Sequence, residues 1–323
     1  MKHDSKQRHP EPRRGSPVKL PGAVVAPVKP LAPPAAPGKP PAAVAAPAKA
    51  THWDNVAEWY DALVGDEGSE YHQKILLPGI MRMLTEHGEG EPAQATRKHP
   101  LNGLRLLDLA CGQGVLCRHV AAAGAKVVGV DAALGLIEAA RRRNQTEALP
   151  IAYHVGDVTK LVPPPEWLTP ASFDIVTVVL AIQNITPLSP VWQAAAAALV
   201  PGGQIIVVMM HPCFRVFKQS DWQWDASTQS QGRVVRQYLS SSKAAIEMRP
   251  AQAAAGGAGE STVSFNRPLQ AYINTLANAG LHIDHMEEWA SHRRPPAGVK
   301  FEAMERARRE IPLFMALRAR KGK

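Results

Sequence analysis

Within Leu104–Asp131, LRLLDLACGQGVLCRHVAAAGAKVVGVD, four residues have the types and spacing to hold a ligand. Asp108 lies near the end of an apolar run that starts at Leu104, and Gly112 and Gly114 follow it. Asp131 ends a second apolar run, Val127–Val130. Glycines at a turn let the backbone approach a ligand closely, and a helix starting at Val115 presents unpaired N–H groups at its N-terminus. An acid at the carboxyl end of the next strand can accept from both hydroxyls of a ribose. The acids and the glycine turn therefore describe a nucleoside site.

Asp108 narrows the ligand. The turn reads Gly112-Gln113-Gly114-Val115-Leu116-Cys117, with Cys at the third glycine position of a dinucleotide turn. A carboxylate four residues before Gly112 would repel a pyrophosphate and suits an ammonium. A nucleoside with a ribose diol at one end and an ammonium-bearing amino acid at the other is S-adenosylmethionine.

The elements that position these residues alternate. Strands are expected at Leu104–Ala110, Val127–Val130, Ile151–Val155, Phe173–Leu180 and Gln204–Met210, with helices at Val115–Ala123, Leu134–Arg143 and Val191–Leu199. Phe173–Leu180 is an almost unbroken apolar run, as a strand buried on both faces requires. Before this core, Asn55–Leu63 and Tyr71–Leu84 read as amphipathic helices, the second kinked or divided at Pro78–Gly79, and residues 87–100 as a polar connector. Residues 211–264, rich in Trp, Gln and Ser, interrupt the alternation as an insertion. A helix Pro268–Ala279, a strand Leu281–Met286, a loop and a strand Ile311–Arg318 follow, the two strands closing the sheet edge as an antiparallel pair. The expected fold is α/β: a doubly wound, mostly parallel, seven-stranded Rossmann-like sheet with an antiparallel last strand, an N-terminal helical lid and an inserted cap. The expected domains are a tail, 1–50, and one domain, 51–323. Within it lie N-terminal helices and connector (51–100), ligand-binding core (101–210), cap (211–264) and C-terminal helix and strands (265–323).

The net charge of +9 is mostly local. Residues 1–50 hold nine of the 37 Lys and Arg and two of the 28 acids, a charge of +7 that leaves +2 for the rest. This Pro/Ala/Lys-rich tail carries no aromatic residue to seed a core and is expected to be disordered. It serves either as a weak electrostatic tether or as a solubilising extension. A nearly neutral remainder excludes a large basic surface for nucleic acid. No apolar run reaches the roughly 18 residues of a membrane span, and the first residues lack the apolar segment of a secretory signal. Cys111, Cys117 and Cys213 show neither metal spacing nor a disulfide framework, which suits a reducing cytoplasm.

Five motifs in order, LLDLACGQG (106–114), VVGVD (127–131), GDV (156–158), FDIVTVVLAIQNI (173–185) and LVPGGQIIVVMMHPCF (199–214), resemble the class I S-adenosylmethionine-dependent methyltransferases. The likeness covers roughly residues 51–323. The HPCF, RPLQAYINTLANAG and EIPLF segments resemble a bacterial subgroup of small-molecule methyltransferases. The resemblance implies that Asp108 and the backbone of Ala110–Gly112 hold the methionine end, with Gly114 against the ligand and Ala110 where the family usually has Gly. It implies that Asp131 and the adjacent Ala132 hold the ribose, and that Asp157 and the Val158 N–H read adenine. Leu180 and Ala181 would flank the amino-acid portion. An Asx turn is the ordinary alternative for Asp157.

Methyl transfer is an in-line displacement in which the enzyme positions the nucleophile and excludes water, and an alcohol or phenol also needs a proton acceptor. In an open α/β sheet the acceptor lies beyond the carboxyl ends of the strands. His211, directly after the fifth strand, is therefore the candidate base, or else it orients substrate or satisfies the turn before Pro212. Gln183 and Asn184, after the fourth strand, are candidates for orienting the acceptor, with a helix N-cap as the alternative for Asn184. Their presence in place of an Asn/Asp-Pro-Pro-Tyr/Phe motif argues against a DNA amino-methylating enzyme. Tyr60, Tyr71 and His72 would cover the site from the lid, and Phe214, Trp222 and Trp224 would wall an apolar acceptor pocket. No Cys/His/Asp cluster has metal spacing, so no metal is expected. The expectation is a small-molecule O-methyltransferase. An RNA or protein methyltransferase tethered by the tail and a non-catalytic cofactor-binding module are the alternatives.

Overall fold

A computed structural model describes residues 53–85, 99–247 and 261–323. The 1–50 tail, most of the 87–100 connector and the AQAAAGGAGE segment lie outside the described residues. Seven strands form one sheet: β1 (Arg105–Leu109), β2 (Lys126–Asp131), β3 (Ile151–Val155), β4 (Phe173–Val179), β5 (Leu199–Met210), β10 (Leu281–Trp289) and β11 (Phe314–Lys321). Their order is β10-β11-β5-β4-β1-β2-β3. β1 to β5 pair in parallel, and β11 runs antiparallel between β5 and β10. This is the Rossmann-like sheet that the sequence predicts.

Successive residues along a strand face opposite layers, and the core divides accordingly. Leu107, Val176, Val207 and Leu317 face one layer with Trp192 and Tyr272, which belong to α5 (Ser189–Ala198) and α6 (Leu269–Asn278). Trp192 Nε1 donates to Thr275 Oγ1 at 2.9 Å and ties those helices together. Leu106, Ile175, Ile206 and Ala316 face the other layer. They meet α3 (Val115–Ala122), α4 (Leu134–Glu147) and the N-terminal α1 (Ala57–Val64) and α2 (Leu77–Thr85) there, through residues such as Ile80, Val120 and Ile137. Among the described residues no helix is long and apolar enough to cross a membrane.

The second N-terminal helix divides just before Pro78–Gly79, changing there from π to α winding. A wide π turn, His72–Leu76, runs into α2, with the Leu77 N–H bonded to the His72 carbonyl. Pro78 then falls in the first turn of α2, where a missing donor is tolerated. Gly79 serves packing instead: a Cβ there would fall 2.4 Å from the Trp289 indole.

Two expectations change. The insertion folds into two hairpins, β6 (Ser220–Asp225) with β7 (Ser230–Val235) and β8 (Ser242–Glu247) with β9 (Ser261–Asn266). The segment expected as a loop before the last strand contains α7 (Phe301–Glu310), so β11 begins at Phe314 rather than at Ile311. α7 has no broad apolar stripe. Glu305 pairs with Arg308 at 2.6 Å and Arg309 at 3.1 Å instead, neighbours on one helix face.

Gly79→Ala should force the α2–β10 contact apart and cost about 1–3 kcal/mol, as overpacking does. Denaturant unfolding checks this, with a lowered midpoint and an unchanged slope as the expected outcome.

Candidate active site

The carboxyl ends of β1 and β4 carry two non-glycine residues in left-handed backbone, Ala110 (φ 58) and Leu180 (φ 54). Each costs roughly 1–2 kcal/mol of steric strain, and both line one cleft of about 540 Å³ with Tyr60, His72, Asp108, Gly112 and Gln113. Such strain concentrates at ligand sites. Gly112 (φ 56) and Gly114 (φ 80) complete the turn. A Cβ on Gly114 would lie 2.3 Å from the Tyr153 hydroxyl, so this glycine also seats the turn on β3.

Asp108 is buried, 3% exposed, and no cation lies within ion-pair distance among the described residues. Thr177 Oγ1 donates to its Oδ1 at 2.6 Å and Cys117 Sγ to its Oδ2 at 3.3 Å. Burial outweighs those two bonds, and with the nearby Asp131 charge it pushes the carboxyl up to about 6. Gln113 is also buried, and its Oε1 has no hydrogen-bond partner among the described residues. A buried acid without a cation and a buried carbonyl without a donor on one cleft fit an ammonium-bearing ligand.

Asp131 sits at the end of β2, accepting from the Gly112 N–H at 2.8 Å and the Ala133 N–H at 2.9 Å. Its carboxylate is thereby locked to the glycine turn. Burial, aided by the Asp131 charge, raises the Tyr60 phenol to about 12. Tyr60 packs edge-on against Trp53 and reaches over Gly112.

The lid is fastened by charge. Arg143 of α4 bonds Asp61 at 2.7 Å and Asp66 at 2.6 Å, and Arg118 of α3 donates to the Asp66 and Gln113 carbonyls. Gln113 Nε2 donates to the Gly65 carbonyl at 3.1 Å. His72 Nδ1 accepts from the Ser69 N–H at 3.2 Å, which places the proton of the neutral ring on Nε2. Burial lowers its pKa and keeps it neutral.

The remaining sequence-predicted residues lie outside the cleft lining. Ala132 is exposed beside Asp131. Asp157 Oδ1 accepts from the Thr159 N–H and hydroxyl, and Oδ2 pairs with Lys160 at 3.1 Å, an Asx turn at the end of β3 with Val158 buried behind it. Ala181 opens the turn that leads to Gln183, and Gln183 spends both ends of its amide on the Met210 backbone, at 2.9 and 3.0 Å. It clips the turn after β4 to the end of β5. Asn184 is not a helix cap, because α5 starts at Ser189 behind Leu188.

His211 does not offer a base. Its Nδ1 accepts from the Cys213 N–H at 3.2 Å, so its proton lies on Nε2, 2.6 Å from Glu288. Both ring nitrogens are committed, and burial lowers the pKa. His211 satisfies its own turn and ties it to β10. Phe214 packs against the His211 ring at 4.8 Å, and Tyr71 packs edge-on between His292 and Phe314.

Residues 107–207 match the family described as methyltransferase domain. The chain carries a class I, S-adenosylmethionine-dependent methyltransferase domain. A crystal structure of an S-adenosylmethionine-dependent methyltransferase from Mesorhizobium loti superposes with a TM-score of 0.53 at 26% identity, covering 71% of this chain and 95% of that one. A Clostridium acetobutylicum methyltransferase shares the fold at 14% identity, with a TM-score of 0.50 and coverage of 84% and 99%. A ubiquinone biosynthesis O-methyltransferase of Bradyrhizobium is 32% identical over 117 residues, 36% of this chain and 44% of that protein. The chain thus spans less than half the length of such curated relatives.

Three residues of this site escaped sequence reasoning. Gln113 stands between two glycines, and its only signal was a long polar side chain inside an otherwise apolar turn. Arg118 and Arg143 are basic residues on amphipathic helices, and nothing local to them announces a partner on the lid.

Asp108 yields a prediction with a definite sign. Its native carboxyl holds its proton more tightly than in the unfolded chain, so its charge costs stability above about pH 6, and the cost vanishes below about pH 4. Asp108→Asn should be more stable than the parent at pH 8 and gain nothing at pH 4. It should also bind S-adenosylhomocysteine about 10–100-fold more weakly at pH 8, the worth of a charge-assisted bond. Parental affinity should fall as pH drops through about 6 while the variant's stays flat, as titration calorimetry can show.

Proposed function

We propose that this chain transfers a methyl group from S-adenosylmethionine to an oxygen of a small-molecule acceptor. The observation that carries the reading is a buried carboxyl with no cation beside it, Asp108, and a buried Gln113 Oε1 with no hydrogen-bond partner among the described residues, both on the cleft at the carboxyl ends of β1 and β4. Asp108 and Gln113 take the ammonium end, Asp131 and Ala132 the ribose, and Asp157 with the Val158 N–H the adenine. Leu180 and Ala181 flank the amino-acid portion. When bound, S-adenosylmethionine supplies a methyl already activated on a sulfonium. The protein's task is then to align an acceptor and exclude water. Tyr60 and the α1–α2 lid, fastened by Arg143, close the cleft against solvent, and His72 presents a neutral ring to it. Transfer to oxygen is supported by the O-methyltransferase names of the relatives, which match 36% of this chain.

The test incubates the full chain with methyl-labelled S-adenosylmethionine and a bacterial metabolite extract. Label recovered in a small organic-extractable product, and lost with Asp108→Asn, is the expected result. Label confined to protein or RNA would reject the small-molecule reading.

A second expectation follows from the committed ring of His211. His211→Ala should lower stability by roughly 1–3 kcal/mol through its stranded partners while leaving the pH–rate profile unshifted. A lost acidic limb would restore His211 as the base.

A further inference from the structure

The turn after β5 leads into Arg215, which differs from the other two buried guanidiniums among the described residues. Arg118 pairs with Glu147 at 3.3 Å and Arg318 with Asp284 at 2.9 Å. Arg215, 9% exposed, has no carboxylate within ion-pair distance among the described residues, and neither has Arg233 next to it. Arg215 Nε and Nη2 donate to the Pro312 and Ile311 carbonyls at 3.1 and 3.4 Å, and Nη1 makes no hydrogen bond. Arg233 Nε donates to the Phe214 carbonyl at 2.8 Å and Nη2 to the Ser220 carbonyl and hydroxyl, and again Nη1 makes none.

Both guanidiniums pack on one indole, Trp222, at 5.1 and 5.2 Å from the ring centre. Trp222 and Arg233 are cross-strand partners in the β6–β7 hairpin, so the fold of the cap sets the pair. Burial and the neighbouring Arg233 charge bring the Arg215 guanidinium down to about 10. The other groups acting on the pair are the Tyr71 phenol, the neutral His211 ring and Asp221, which influences Arg233 without forming an ion pair. Backbone carbonyls and an indole face offset part of the cost of burying two like charges together. A bound oxyanion would offset the rest.

Arg215 stands on a turn that is linked to the cleft through its neighbours. The 211–215 turn stands at the carboxyl end of β5, joined through Met210 and Gln183 to the turn whose Leu180 lines the cleft. Tyr71, which acts on Arg215, precedes the cleft residue His72.

We propose that Arg215 and Arg233 bind an oxyanion, the carboxylate or phosphate ester of the methyl acceptor, so that the acceptor carries a negative group apart from the oxygen that is methylated. The proposal rests on the methyltransferase reading above. A purely structural pair is the competing account, and stability separates the two. Removing a structural cation destabilises a fold, whereas removing one of two repelling, ligand-seeking cations does not.

The experiment measures melting of the full chain with S-adenosylhomocysteine against benzoate, phenyl phosphate and the neutral control benzyl alcohol, at constant ionic strength. One or both anions should raise the melting temperature of the parent and benzyl alcohol should not, the stronger anion distinguishing a carboxylate from a phosphate ester. Arg233→Gln, the less buried position, should weaken the anion response roughly tenfold or more and melt no lower than the parent without anion. Arg215→Lys should retain part of the response. Equal shifts from the anions and benzyl alcohol, or an Arg233→Gln variant that melts lower yet keeps the anion response, would overturn the proposal. Calorimetric binding of S-adenosylhomocysteine is scored separately: its failure would count against the methyltransferase reading, not against the anion site.

Discussion

A carboxylate buried at the carboxyl edge of a parallel sheet, with no cation beside it, is the constraint on which this site depends. Asp108 is held by a hydroxyl and a thiol, which together do not offset its burial, and its proton affinity rises accordingly. A sheet strand has no reason to place an acid there for stability alone. Around it the chain accepts further costs, left-handed backbone at Ala110 and Leu180 and an unbonded Gln113 Oε1. The costs fall on one cleft, and a ligand with a positive end relieves several of them at once.

The lid obeys a complementary logic. α1, the π turn and α2 pack against the sheet through Val64, Leu76, Ile80 and Leu84, but α1 and the loop after it are also fixed by Arg143 and Arg118 reaching out from α4 and α3. The same helices that follow the ligand-binding turns therefore hold the cover in place. Gln113 touches both lid and cleft, since its amide nitrogen is bound to the lid at Gly65 while the residue lines the cleft and its oxygen has no partner among the described residues.

The parts of this protein that could be read from sequence are those set by local periodicity and short-range spacing. The strands β1 to β5 are apolar runs, the glycine turn is contiguous, and Asp131 ends a strand, so fold and ligand class follow from residues close in the chain. β6 was legible in principle, since Trp222 and Trp224 alternate with polar neighbours, but the pattern is short and lies in a Ser/Gln-rich setting. α7 was not, because FEAMERARRE lacks a broad apolar stripe and is held by ion pairs around Glu305. Side-chain roles set by distant partners were least legible. His211 was placed correctly at the edge of the sheet, yet its occupation by Cys213 and Glu288 depends on a strand 77 residues away. The burden that Arg215 and Arg233 share becomes visible only once the cap folds.

The most direct test of the central claim is carboxyl NMR titration of Asp108 in the ligand-free protein and with S-adenosylhomocysteine bound. The account predicts a midpoint near 6 in the free protein and a marked fall on binding, as the ammonium stabilises the carboxylate. An ordinary aspartate midpoint in the free protein, or one that binding leaves unmoved, would contradict it.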